Sequence, residues 1–264
     1  MNEAMPLTYG SYLKLDELLK LQTPASEPAE HDELLFITIH QVYELWFKQI
    51  LHELKRAQEC LNLDDRVRAA SALKRILTIL KTAVSQVDIL ETMTPMEFNS
   101  FRARLDTASG FQSLQFRELE FRLGHRSLAR AHFHAEGTPE RAHLEGLLQT
   151  PSFYLSFLGF LDRAGFNVPA EILNQDRAQP NPENAEVRKQ LIRIYHSRSE
   201  LAALCERLLD LDEGIQEWRY RHVKMVERTI GAKMGTGGSS GAEYLRNTLF
   251  RPIFPDLWSI RSEL

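Results

Sequence analysis

Long apolar runs are missing from this sequence, and no stretch approaches the ~20 residues that a membrane span requires. Cysteine is nearly missing as well. The two present, Cys60 and Cys205, each sit among apolar helical neighbours. That argues against a disulfide framework or a cysteine-ligated cluster and suits a reducing cytoplasm. Positive charge is not in excess: 32 Lys and Arg stand against 36 Asp and Glu, for a net charge of −4. A general nucleic-acid binder is therefore disfavoured. The opening residues, MNEAMPLTYGSYLKL, lack a basic region followed by an apolar stretch, so no secretory signal is expected. HExxH and CxxC are absent, and so is the Lys-Ser/Thr ending of a P-loop.

What is present reads as helix. Between residues 29 and 94 there is neither glycine nor proline, which is hard to reconcile with short strands and turns. Asp32 and Glu33 start a helix that carries LLFITIHQVYELWFKQIL, apolar on more than one face as a central helix should be. An interruption is expected near Asp64, after which Val67, Ala70, Leu73, Leu77, Leu80, Val84 and Val87 recur at helical steps. Thr94-Pro95-Met96-Glu97 is a capping box with proline at the first helical position. Thr138-Pro139, Thr150-Pro151 and Asn181-Pro182 repeat the cap-then-proline signal. A long stretch from Pro182 toward Gly231 is expected to break near Asp210 to Gly214. Residues 22–30 read as a loop between a first helix over 7–21 and the rest. With 264 residues and no internal repeat, the expectation is one all-α domain over 1–264. A chain this long can bury roughly 70–75% of its unfolded surface, enough for a core that encloses a cofactor.

Two of the nine histidines stand out by position. His40 shares a helical stripe with Phe36, Ile37, Tyr43 and Phe47, and His222 shares one with Ile215, Trp218, Met225 and Val226. Spacing places each imidazole on an inward face. Singly, each reads best as a hydrogen-bonded core histidine. Together they could flank a haem in an apolar pocket, one ligating iron and the other facing the opposite side. Other metal readings are weaker: Glu140 with His143 is a lone Glu-x-x-His pair in a polar segment, and His132 with His134 lacks a partner at ligand spacing. The segment GTGGSSG, residues 235–241, follows helix where a nucleotide fold would place a strand. It reads as a surface linker or as a lid in which Thr236 meets a ligand. Arg102, after Phe98 and Phe101, is either a surface snorkel or a fork for a carboxylate beside an aromatic ligand.

The motifs LTYGSYLKLDELL (7–19), EPAEHDELLFITIHQVYELW (27–46), LETMTP (90–95), FRARL (101–105), ASGFQSLQFRELE (108–120), WRYRHVKMVERTIGAKMGTGGSSG (218–241) and FPDLW (254–258) fall in one order along nearly the whole chain. In these the sequence closely resembles the tryptophan 2,3-dioxygenase family. The resemblance implies a cytoplasmic, helical haem-b homotetramer, active when ferrous, that converts L-tryptophan and dioxygen to N-formylkynurenine at the start of tryptophan degradation. It further implies His222 as the axial iron ligand, His40 beside the indole nitrogen and Phe36 against the indole ring. Arg102 would hold the substrate carboxylate, and Thr236 would meet the amino-acid end. Ser109 and Gly110 would line the haem pocket. Tyr9, Tyr12 and Leu13 would complete the pocket of a neighbouring subunit. Phe98 stands where some relatives carry a tyrosine that assists the carboxylate. A helical haem-binding gas sensor or carrier is the rival from another class, but it has no need of Arg102 and Thr236. The broader indoleamine dioxygenases lack the N-terminal tyrosine motif.

Overall fold

The computed structural model describes residues 6–236 and 241–264, and among them every regular element is helical. The longest, His31–Asn62 and Ser199–Ile230, each span 32 residues. The first turns back at Leu63 to Asp65, where Asp64 adopts φ 59° and the Asp65 carboxylate accepts from the Arg68 amide at 3.0 Å. The Arg66–Ser85 helix then runs back along it and also packs against Ser199–Ile230. Around this trio lie Pro95–Arg102, Leu114–Leu123, Phe153–Arg163 and Ala185–Ser197. Ile50, Leu54, Leu73, Ile76, Phe157, Leu208 and Leu211 fill the centre. No helix among the described residues is long and apolar enough to cross a membrane. The free thiols of Cys60 and Cys205 are buried.

The capping boxes at Thr94 and the cap at Thr138 stand where the sequence places them. Four boundaries do not. The helix expected over 7–21 is two short ones, Tyr9–Leu13 and Leu15–Leu18, joined through Lys14 at φ 52°. Thr150 caps nothing: its hydroxyl donates back to the Leu147 carbonyl, and Ser152 starts the next helix by accepting from the Leu155 amide. Asn181 is likewise no cap. Its amide donates to the Leu123 and Ile253 carbonyls at 3.1 and 2.8 Å, stitching three segments, while Asn184 caps Ala185–Ser197.

The break expected near Asp210 to Gly214 falls instead at Arg198 (φ −142°, ψ 80°), and the helix runs unbroken through Gly214. A Cβ on Gly214 would lie 3.4 Å from Leu80 Cδ1, so the missing side chain lets two helices approach closely. That close packing offsets the ~1 kcal/mol that glycine costs within a helix. Asp212, two residues earlier, has 0% exposure. It accepts from the Ile253 and Phe254 amides and from Trp258 Nε1 at 2.7, 2.9 and 3.0 Å, which binds the C-terminal segment to the same helix.

Candidate active site

A cavity of about 250 Å³ opens between three of these helices. His31–Asn62 supplies Phe36, His40, Tyr43, Glu44 and Phe47 to one wall, and Ser199–Ile230 supplies Trp218, Arg219, His222 and Val226 to another. Pro95–Arg102 and the turn after it add Phe98, Arg102, Ser109 and Gly110, while Gly235, Thr236 and Gly241 come from the loop after residue 230. The lining is mostly apolar with a few convergent polar groups, the usual constitution of a small-molecule site. Of the side chains singled out in sequence, Phe36, His40, Phe98, Arg102, Ser109, Gly110, His222 and Thr236 all meet here. Tyr9, Tyr12 and Leu13 do not: they are 77%, 72% and 42% exposed and do not line their own chain's cavity.

The two imidazoles differ in environment. His40 Nδ1 lies 2.7 Å from the Phe36 carbonyl oxygen. A carbonyl only accepts, so that nitrogen carries the proton, and Nε2 of the neutral ring keeps its lone pair. Burial lowers the proton affinity of His40, against the pull of the Phe36 carbonyl and the Glu44 carboxylate. The Phe36 ring lies 4.1 Å from it, centroid to centroid. His222 has no hydrogen bond among the described residues. Its ring lies parallel to Trp218, with centroids 5.2 Å apart and planes 6° apart. Burial, with a contribution from His40, pushes its pKa down to about 4, so the ring is neutral near pH 7.

Arg102 reaches the cavity from the last turn of its helix. Its Nη2 donates to the Met234 carbonyl at 2.5 Å, and among the described residues it has no carboxylate partner. Nearby, the Thr236 hydroxyl donates to the Ala108 carbonyl at 2.6 Å. These two bonds tie the segment after His222 to the turn after Arg102. Gly241 closes the loop at φ 61°, where a Cβ would lie only 2.7 Å from the Lys233 carbonyl oxygen, so no other residue fits. Residues 237–240 of the expected lid lie outside the described residues.

Sequence reasoning missed a charged wall behind the cavity. Arg117 and Arg219 both line it, are 7% and 4% exposed, and share the single carboxylate of Glu120. Arg219 Nη2 also donates to His125 Nδ1 at 3.0 Å. Arg219 Nη1 and Trp218 Nε1 are buried and have no hydrogen-bond partner among the described residues. Two guanidinium groups on one carboxylate leave uncompensated positive charge at the wall. The sequence does hold a signal, since Arg117 and Glu120 sit three apart in FRELE and Arg219 sits one turn from His222. Glu44 was missed too: it accepts from Ser113 Oγ at 2.6 Å and Gln115 Nε2 at 2.8 Å, which ties the Leu114–Leu123 helix to the His40 helix.

Outside the cavity, His143 Nε2 lies 2.8 Å from Glu118 Oε2, and His132 pairs with Glu145 at 3.4 Å. Among the described residues no cluster of three or more potential ligands could hold a metal ion.

The family model described as tryptophan 2,3-dioxygenase matches residues 1–153 and 161–264. A protein named tryptophan 2,3-dioxygenase from Herpetosiphon aurantiacus is 57% identical over 258 residues, covering 98% of each chain. Proteins of the same name from Anaeromyxobacter sp. (strain K) and Saccharopolyspora erythraea are 56% and 44% identical. They cover 98% of this chain, and the matches span 96% and 93% of their own lengths.

Proposed function

The chain belongs to the tryptophan 2,3-dioxygenase family, and from that premise we propose how its own residues carry out the dioxygenation of tryptophan. It is an oxidoreductase of tryptophan catabolism, and the family implies a haem cofactor. We read the cofactor as haem b, ferrous in the active form, and the product as N-formyl-L-kynurenine. One observation carries the reading: a cavity with an imidazole on each of two walls also holds an arginine that lacks a carboxylate partner among the described residues.

The cavity suits a flat, apolar macrocycle bearing carboxylates. His222, neutral and without a hydrogen bond among the described residues, would hold the haem iron through a ring nitrogen. The uncompensated positive charge on Arg117 and Arg219, with the unpartnered Nη1 and Trp218 Nε1, suits the macrocycle's carboxylates. A bound haem would supply the dioxygen chemistry, in which the O–O bond and the indole C2–C3 bond both break and each of the two carbons takes one oxygen atom.

The remaining work falls to side chains. Arg102 offers two parallel N–H donors to the substrate carboxylate, a stronger acceptor than the Met234 carbonyl it now serves. The Thr236 hydroxyl stands ready for the same amino-acid end. Phe36 packs against the indole, and His40 Nε2 accepts a hydrogen bond from the indole N–H. Phe98 is apolar, so the carboxylate receives no phenolic hydroxyl from that position. Gripping both ends turns a bimolecular encounter into an oriented one, worth several kcal/mol of barrier. An indole N–H is too weak an acid for an imidazole to deprotonate at little cost, so His40 positions the ring and does not serve as an obligatory base.

Tyr9, Tyr12 and Leu13, exposed on their own chain, fit the proposal that this segment reaches the pocket of a neighbouring subunit in a homotetramer. The buried free cysteines suit a cytoplasmic enzyme. The visible spectrum of the purified protein, with and without tryptophan, tests the whole reading. A Soret band that shifts with the amino acid is expected, and no Soret band after haem addition would refute it.

A further inference from the structure

We propose that Glu120 is a positioning residue, one that holds Arg117 and Arg219 on the cavity wall and so sets the charge the bound cofactor meets. The inference rests on the haem reading above.

The contacts converge from separate segments. Glu120 and Arg117 come from the Leu114–Leu123 helix, Arg219 from the His222 helix, and Arg130 from the turn Leu128–Ala131. Glu120 is 3% exposed. One of its oxygens accepts from Arg117 and has Arg130 Nη1 at 3.5 Å, and the other accepts from Arg219 at 2.5 Å. His125 contributes no charge. Arg219 can only donate, so His125 Nδ1 must be an unprotonated acceptor. Burial first, and then the surrounding arginines, push the His125 pKa down to about 3, despite the opposing pull of Glu120. Glu120 therefore supplies the one negative charge these contacts give to the two wall arginines.

Arg219 lies three residues before His222 on the same helix, so this carboxylate fixes both a guanidinium and the helical turn next to the proposed iron ligand. Its other oxygen pairs with Arg117, which lines the cavity beside Phe116. Neutralising Glu120 would leave the wall with one more positive charge in a partly desolvated space, where charge is screened less than in bulk water. Positive charge nearby favours the ferrous over the ferric state of a bound haem.

The test is a spectroelectrochemical titration of the haem-loaded protein. In Glu120→Gln, the ferrous-to-ferric ratio at the parent's midpoint should rise about tenfold, equivalent to 59 mV for a one-electron couple. Glu120→Asp keeps the charge and should stay within threefold of the parent. Arg219→Met removes a positive charge and should lower the ratio, which covers the case in which Glu120→Gln does not fold. A folded Glu120→Gln protein with an unmoved midpoint overturns the proposal, as does an Arg219→Met protein whose ratio fails to fall. A shift in Glu120→Asp as large as that in Glu120→Gln would overturn it too, by showing that packing and not charge is at work. A parent that takes up no haem would refute the cofactor reading instead.

Discussion

Replacing Arg102 by alanine separates ligand recognition from folding, because the structure gives this side chain so little else to do. Its one hydrogen bond among the described residues, to the Met234 carbonyl, ties down a surface segment. Losing that bond costs about 1 kcal/mol, or about 2–4 °C in Tm for a chain of this size. Losing a charge-assisted, two-point grip on a carboxylate costs more, about 2–4 kcal/mol in kcat/KM. That is roughly a 30- to 900-fold loss. Steady-state oxidation of tryptophan and of tryptamine, which has no carboxylate, makes the discriminating assay. The tryptophan penalty should fall in this range, while tryptamine should lose little more in the variant than in the parent. An equal penalty for the two substrates would mean that Arg102 acts through cavity shape, and the assignment of the carboxylate would fall.

Four further outcomes are expected. His222→Ala should bind haem loosely or not at all, and full occupancy with an unchanged five-coordinate spectrum would name another ligand. Deleting residues 1–21 should weaken tryptophan binding and disturb assembly together, and normal kinetics at unchanged mass by light scattering would reject the role given to Tyr9, Tyr12 and Leu13. His40→Ser should retain appreciable tryptophan oxidation and open space for 1-methyltryptophan; binding of that substrate without turnover would show that loss of the N–H proton is essential. His125 has a native pKa of about 3, below the unfolded value, so between pH 6.5 and 3 the unfolded chain binds a proton that the folded one refuses. Stability from this group is present above pH 6.5 and declines on acidification by up to about 1.4 kcal/mol per pH unit. In His125→Gln, urea midpoints should therefore fall less between pH 6.5 and 4.5, and parallel curves would refute the point.

Much of this was legible in sequence because helical periodicity is a local signal. Phe36, His40, Tyr43 and Phe47 share a face by spacing alone, as do Trp218 and His222, and those two stripes form facing walls. Boundaries set by tertiary contacts were not legible. Asn181 has the chemistry of a cap and the proline to follow, yet carbonyls 58 and 72 residues away claim its amide. Arg198 ends a helix without any capping side chain, so nothing local announces the break. Glu120 was easily discounted for a similar reason. An Arg-x-x-Glu pair on a helix usually means a solvated surface contact, and only the arrival of Arg219 from 99 residues away makes it a buried one.

The same long-range polar contacts explain why an apolar cavity persists in the middle of a collapsed core. Its lining of phenylalanine, leucine, valine and methionine would gain from closing, since each buried apolar group is favoured. What opposes closure is fixed at the rim. Tyr43 donates to the Ala83 carbonyl at 3.0 Å, and Glu44 holds Ser113 and Gln115. Arg219 is locked to Glu120 and His125, and Asp212 anchors residues 253, 254 and 258. Each contact joins a wall helix to a separate element of the fold, so moving a wall inward would strand a buried donor or acceptor at about 1–3 kcal/mol apiece. The cavity is therefore bounded by groups that cannot relax independently. It is also where two imidazoles and an arginine without a carboxylate partner among the described residues are held in place, the condition under which a bound ligand meets its partners without further ordering.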